Sequence, residues 1–198
     1  MAGLDRLGLP VAINRKPNEL AEAIPFDEDE VHRSYDADAA ERFWRALVQA
    51  DRVFKIFRGR FAGKCSPVHY FWGAGDLAVS RFSGRRAPAH PGGAPNMPDR
   101  LLREAYSQEC SSAGFWPGGD PAPYPFFFSY AYPAPQGFAG AAVRPREASY
   151  NRALGEFVLP YDAVRESASP DAMLLDFLQS TYEAAADLGG WDRAALET

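Results

Sequence analysis

The alternation of apolar and polar positions divides the chain into an irregular opening, a long helix, a block of extended segments and a second helix. Helical spacing is clearest over residues 36–62, where Phe43, Leu47, Phe54, Phe57 and Phe61 recur on one side with Trp44 and Val48 beside them. Arg42, Arg45, Gln49, Arg52, Lys55 and Arg58 occupy the other side. Ser34 or Asp36 is placed to accept backbone N–H bonds at the helix start, and Gly63 to end it. The second helix spans 169–189. Ser169-Pro170-Asp171 supplies cap, first-turn proline and acidic first turn, and Leu174, Phe177, Leu178, Thr181, Ala185 and Leu188 form an apolar face that stops at Gly189-Gly190.

Between the helices the period becomes extended. Val68 to Phe82, interrupted by Gly73-Ala74-Gly75, reads as a strand with a bulge or as a hairpin. Arg85 to Pro98 is rich in proline, glycine and alanine and reads as a long loop. Glu104 to Phe115 reads as a strand of unusual polarity, and Phe126 to Tyr132 as its aromatic hairpin partner. Gly155 to Val164 supplies another strand, with Pro160 at an edge or an end. Residues 1–35 form an extended opening in which Val11 to Asn14 can add a strand and the acidic run Asp27 to Glu30 is a solvated loop. Successive strands between two amphipathic helices imply an α+β fold. The expected architecture is an antiparallel sheet of about four to six strands, over 67–165, with two long helices packed on one face of a single domain covering 1–198.

Composition changes this picture mainly by exclusion. Lys+Arg of 21 against Asp+Glu of 26 leaves a net charge of −5, the wrong sign for a polyphosphate, so no nucleic-acid partner is expected. The chain has neither a run of about 18 apolar residues nor a signal-peptide pattern, so no membrane partner and a cytoplasmic location are expected. Cys65 and Cys110 are too few for a disulfide framework or a structural zinc site, and His32 and His90 have no partner at ligand spacing, so no metal is expected. No cofactor is expected either, because neither a G-x-G-x-x-G after a strand nor a G-x-x-x-x-G-K-[ST] occurs. Ser83, Ser111 and Ser112 lack a nucleophile elbow.

Several segments carry a family likeness: Ile24-Pro25-Phe26-Asp27-Glu28-Asp29 with Val31-His32, Leu47 to Phe54, Gly63 to His69, Asp76 to Val79, Arg81 to Arg85, Glu104 to Ser107, Ser111 to Gly118 and Leu178 to Ala186. On these the chain resembles the domain of unknown function 5996 family, an uncharacterised bacterial family. Members extend further at the N-terminus, so the chain resembles the family's C-terminal part, which implies a preceding segment as a partner of the sheet. Members often carry histidine where this chain has Gln108, so the resemblance implies no metal ligand there. The family name brings no activity.

Candidate chemistry centres on the polar strand. Alternation places Glu104, Tyr106 and Gln108 on one face and Ser107, Glu109 and Ser111 on the other. If the neighbouring strands flank it, His69, Asp76, Arg81 and Tyr130 can approach these groups across the sheet. The candidate catalytic residues are His69, whose imidazole can serve as general acid or base, and Glu109. Candidate binding residues are Arg81, Tyr106, Trp72 and Tyr130, the aromatic members drawn from the clusters at Tyr70 to Trp72 and Phe126 to Tyr132. Two functions follow. One is a small-molecule binding protein or acid/base enzyme with an aromatic-lined pocket; the other is a structural or interaction module whose aromatic face pairs with another copy of the chain or another domain.

Overall fold

The computed structural model of the chain describes residues 2–119 and 122–198. A short helix, α1 (Ala2–Arg6), opens an otherwise irregular segment that reaches Tyr35 without forming a strand at Val11 to Asn14. Helix α2 (Ala37–Gly59) follows, its start capped by Asp36, whose carboxylate accepts from the Ala39 N–H at 3.0 Å. Strands β1 (His69–Phe71) and β2 (Asp76–Arg86) form a hairpin, and α3 (Asp99–Ala105) precedes β3 (Gln108–Trp116) and β4 (Phe126–Tyr132). A second short hairpin, β5 (Ser149–Asn151) and β6 (Glu156–Pro160), leads into α4 (Tyr161–Arg165), α5 (Pro170–Leu188) and α6 (Arg193–Leu196).

All six strands belong to one antiparallel sheet in the order β1-β2-β3-β4-β6-β5. The architecture is therefore α+β. Helices α2 and α5 cover one face, as their apolar stripes require. Val53, Phe54 and Phe57 from α2 and Leu174, Phe177 and Leu178 from α5 meet Leu77, Val79, Ala113, Phe115, Phe127, Phe157 and Leu159 from the strands. Each such large side chain contributes about 1.5–3 kcal/mol by leaving water. Arg52 makes a two-pronged ion pair with Asp171, at 2.6 and 2.7 Å, and the Phe57 ring lies steeply against Tyr182, so contacts advance along both helices together and the two run in the same direction.

The long helix ends earlier than Gly63. Arg60 caps it, and the returning C-terminus takes up the next backbone groups: Ala62 N–H donates to Leu196 at 2.8 Å, and Phe61 bridges to Glu197. The polar strand does not begin at Glu104. Residues 99–105 form α3 instead, so Glu104 and Tyr106 leave the strand and only Gln108 onward continues it. The segment Gly155 to Val164 is likewise not one strand: Pro160 ends β6, and Tyr161 N–H bonds to Pro125 as α4 begins.

Alternation along the paired strands assigns side chains to faces. Leu77, Val79 and Arg81 of β2, Glu109, Ser111, Ala113 and Phe115 of β3, and Phe127, Ser129 and Ala131 of β4 point to the helices. Asp76, Ala78, Ser80 and Phe82, then Cys110, Ser112, Gly114 and Trp116, then Phe126, Phe128, Tyr130 and Tyr132 point to the second face. Gly114 marks its centre. A Cβ there would lie 2.6 Å from the Leu77 carbonyl oxygen and would strike the Phe128 ring, so only glycine lets that ring lie across the sheet.

Candidate functional site

The faces separate the residues that the sequence brings together. His69 projects from β1 on the second face and is exposed, tilted against Phe71 with ring centroids 4.1 Å apart. Glu109 projects toward the helices, where it accepts from Arg85 Nη2 at 2.7 Å and Ser83 Oγ at 2.9 Å. The two candidate catalytic groups thus lie on opposite faces of the sheet. The cause is register, because His69 is opposite Ala78 whereas Glu109 shares its parity with Ala113 and Phe115. Arg85 reaches Glu109 because the β2–β3 ladder bulges between Phe82 and Arg86, with Gly84 at φ +84°. Arg85 also donates to the carbonyls of Gly189 and Gly190, closing the C-terminal end of α5, so Glu109 belongs to a structural cluster.

Arg81 is a core residue, 0% exposed. Its guanidinium lies 3.5 Å from the Phe57 ring centroid, 4.3 Å from Tyr182 and 5.0 Å from Phe61, and donates to the Phe57 carbonyl near the end of α2. Nε and Nη1 have no partner among the described residues, and burial pulls the group down to about 10. Trp72, 89% exposed in the β1–β2 turn, meets the Tyr70 ring at a right angle with centroids 5.1 Å apart. Arg81 thus faces the helices, away from the second face.

Tyr106 and Tyr130 do come together. The carbonyl end of α3 delivers Tyr106 onto the second face, where the two phenol oxygens are 2.9 Å apart. Register stacks that face into rungs. Ser80 is opposite Ser112, Ser112 opposite Tyr130, and the same β4–β6 register sets Glu156 across from Tyr130. Ser80 Oγ donates to Ser112 Oγ at 2.9 Å. A polar rung, Ser80–Ser112–Tyr130–Glu156, therefore crosses a face otherwise built from Ala78, Phe126, Phe128, Val158 and Trp116. Beyond it, the His90 ring stacks on Tyr106 at 4.9 Å, and Tyr132 OH donates to the Pro88 carbonyl at 3.1 Å, tying the 87–98 loop over one end.

Two carboxylates share this face without a lysine or arginine against either of them among the described residues. Burial pushes Glu156 up to about 7, with the Asp76 charge adding to it. Asp76 is raised to about 6 by burial, its own backbone N–H opposing, and the charges of Glu19 and His69 pull in opposite directions. Burial, then the neighbouring second phenol, raises Tyr130 well above the ordinary tyrosine range. Glu19 comes from the opening segment, which is latched to the loop by Glu19 N–H on Pro95 (2.8 Å) and Asn96 Nδ2 on Leu20 (2.7 Å). A carboxyl that titrates near neutrality, beside an array of hydroxyls and aromatic rings, can donate or accept a proton or hydrogen bond at one position. The strand pattern of the sequence brings Asp76 near the rung but does not single out Glu156. The available signal was its neighbourhood, since Phe157-Val158-Leu159 is apolar on both faces and a carboxylate one step before such a run is drawn into cover.

Among the described residues, no cluster of three or more His, Cys, Asp or Glu side chains is arranged to hold a metal ion, and no helix is long and apolar enough to cross a membrane. These features define a class, an α+β protein with a helix-covered antiparallel sheet whose other face carries a hydroxyl and carboxyl rung among aromatic rings. The chain belongs to the family of unknown function DUF5996, whose model matches residues 1–198. The match includes the opening segment and its acidic run. No curated protein and no solved structure matches the chain.

Proposed function

We propose that the second sheet face binds a small organic molecule, with Tyr106, Tyr130, Ser80 and Ser112 supplying hydrogen bonds and Asp76 and Glu156 supplying acid/base chemistry. The observation that carries this reading is the pair of carboxylates left without a lysine or arginine partner among the described residues on a half-covered, aromatic face. Burying charge in this way costs stability unless it is compensated, and a ligand group that donates to the carboxylates compensates it. His69 stands at the edge of the same face as an outer polar contact; Arg81, Glu109 and Trp72 act elsewhere. The molecule acts without nucleic acid, and a reducing, cytoplasmic setting suits its two free thiols, Cys65 and Cys110.

The test is a thermal-shift screen of small metabolites on wild type, Glu156→Gln and Tyr130→Phe. A ligand at one hundred times its Kd stabilises by about 2.7 kcal/mol, a rise of about 5–10 °C for a chain this size. Compounds that bind here lose most of their shift in both variants. Hits that shift all three proteins equally refute the assignment.

A specific observation favours the interaction-module alternative as well: Leu7, Phe26, Val31 and Tyr35 of the opening segment are each at least 69% exposed, and Trp44 on α2 is 61% exposed. Self-association through these groups predicts a concentration-dependent mass in light scattering that Phe26→Ser and Trp44→Ser abolish. A monomer at all concentrations removes pairing with a second copy.

A further inference from the structure

A cavity lies on the helix-covered side of the sheet, away from the polar rung, and we infer that it is a binding site for a small organic acid with a flat apolar body. The cavity, about 720 Å³, opens between the first half of α2, the β3–β4 connection and α4. Its floor is aromatic. Phe43 lies 6.3 Å from Phe115, and Phe115 lies 5.4 Å from Tyr161, so the rings form a continuous surface against which a planar body can rest.

Its rim is cationic in a chain whose net charge is −5: three arginines, Arg42, Arg45 and Arg165, border it, and among the described residues no aspartate or glutamate does. Arg45 is held by Glu41 at 2.5 Å and Arg165 by Asp162 at 3.0 Å, so both are anchored by carboxylates outside the cavity. Arg42 has no carboxylate partner among the described residues and supplies a free planar donor fork matched to a carboxylate. Gln49 completes the donor set. Its carbonyl oxygen accepts from Arg52 Nη2 at 3.1 Å, which turns its amide N–H groups outward as donors. Apolar floor, donors only at the rim and a volume suited to a compound of one or two rings select an aryl carboxylate over an amine or a neutral sugar.

The experiment titrates the full chain with 2-naphthoate, followed by its fluorescence, at about 0.15 M salt so that long-range attraction is screened. Arg42→Glu and Gln49→Glu change exposed side chains and leave the core intact; Arg152→Glu, on the β5–β6 turn, is the charge-matched control. The expected result is a Kd raised at least tenfold by Arg42→Glu and by Gln49→Glu, within twofold of wild type for Arg152→Glu, and a neutral 2-naphthamide bound at least tenfold more weakly. Glu156→Gln leaves naphthoate affinity unchanged, which separates this site from the polar rung. The inference is overturned if wild type shows no saturable binding, if all three charge variants weaken it equally, or if the amide binds as well as the acid.

Discussion

Glu156→Gln is the sharpest probe of the second face, because it keeps the shape of the side chain and removes only its ability to ionise. Glu156 is raised from an ordinary 4.5 to about 7 by burial and the Asp76 charge. At about 1.36 kcal/mol per pH unit, this corresponds to about 3 kcal/mol if unscreened, and solvent at the edge of the group reduces it to about 1–2 kcal/mol. The sign follows from proton binding. Between about pH 4.5 and 7 the folded chain holds a proton at Glu156 that the unfolded chain has lost, so this group's contribution is complete below about 4.5 and disappears as pH rises through about 7. Glutamine carries no such dependence. Urea or thermal unfolding at pH 5 and pH 8 should therefore find the variant close to wild type at pH 5 and more stable at pH 8 by about 1–2 kcal/mol, or about 3–6 °C. A gain of equal size at both pH values, or a loss at pH 8, would show that Glu156 is not a buried, uncompensated acid, and the proposed ligand site would lose its main support.

The remaining predictions concern the frame that holds this face. Arg81→Ala, which strips three aromatic contacts and leaves a void, should cost about 3 kcal/mol in urea unfolding, whereas Arg81→Met, which fills the space without a buried charge, should cost under about 1.5 kcal/mol; equal losses would contradict the account of Arg81 as packing. Gly114→Ala should destabilise by about 2–4 kcal/mol, because its Cβ meets the Leu77 carbonyl oxygen at 2.6 Å, and a neutral result would mean that the strands can part there. Arg85→Ala should cost about 1–2 kcal/mol and raise amide exchange in the last turn of α5, since the side chain holds Glu109 and two carbonyls at that end; unchanged exchange at residues 185–189 would assign the loss elsewhere.

Much of the fold was legible in the sequence. The 3.6-residue recurrence from Phe43 to Phe57 and from Leu174 to Ala185 specifies two helices, and the succession of extended runs between them specifies an antiparallel sheet. What failed to register was short. Helix α3 carries only Leu101 and Leu102 as large apolar residues and buries none of its side chains, so no stripe betrays it. Strand β5 has three residues, too few to establish a period of two. The site was harder to read because parity within one strand is visible in sequence, while the register between strands is not. Arg81 shares parity with Leu77 and Val79, which already marks it as facing the core side; that Glu109 joins the same side needs the β2–β3 pairing. Tyr106 reached Tyr130 by a route other than the expected one, from the end of a helix and not from a neighbouring rung.

The outer margins of the sheet bear on how the molecule keeps to itself. Each outermost strand, β1 and β5, has only three residues, and beyond β1 the exposed flank of β2 is shielded by residues 64–66, where Ser66 N–H bonds to Ser80 at 2.8 Å and Phe82 N–H to Lys64 at 3.0 Å. Pro67 separates these two coverings and has no N–H to offer. A foreign strand therefore meets short stubs in place of a long ladder, which disfavours edge-to-edge pairing onto the aromatic interior.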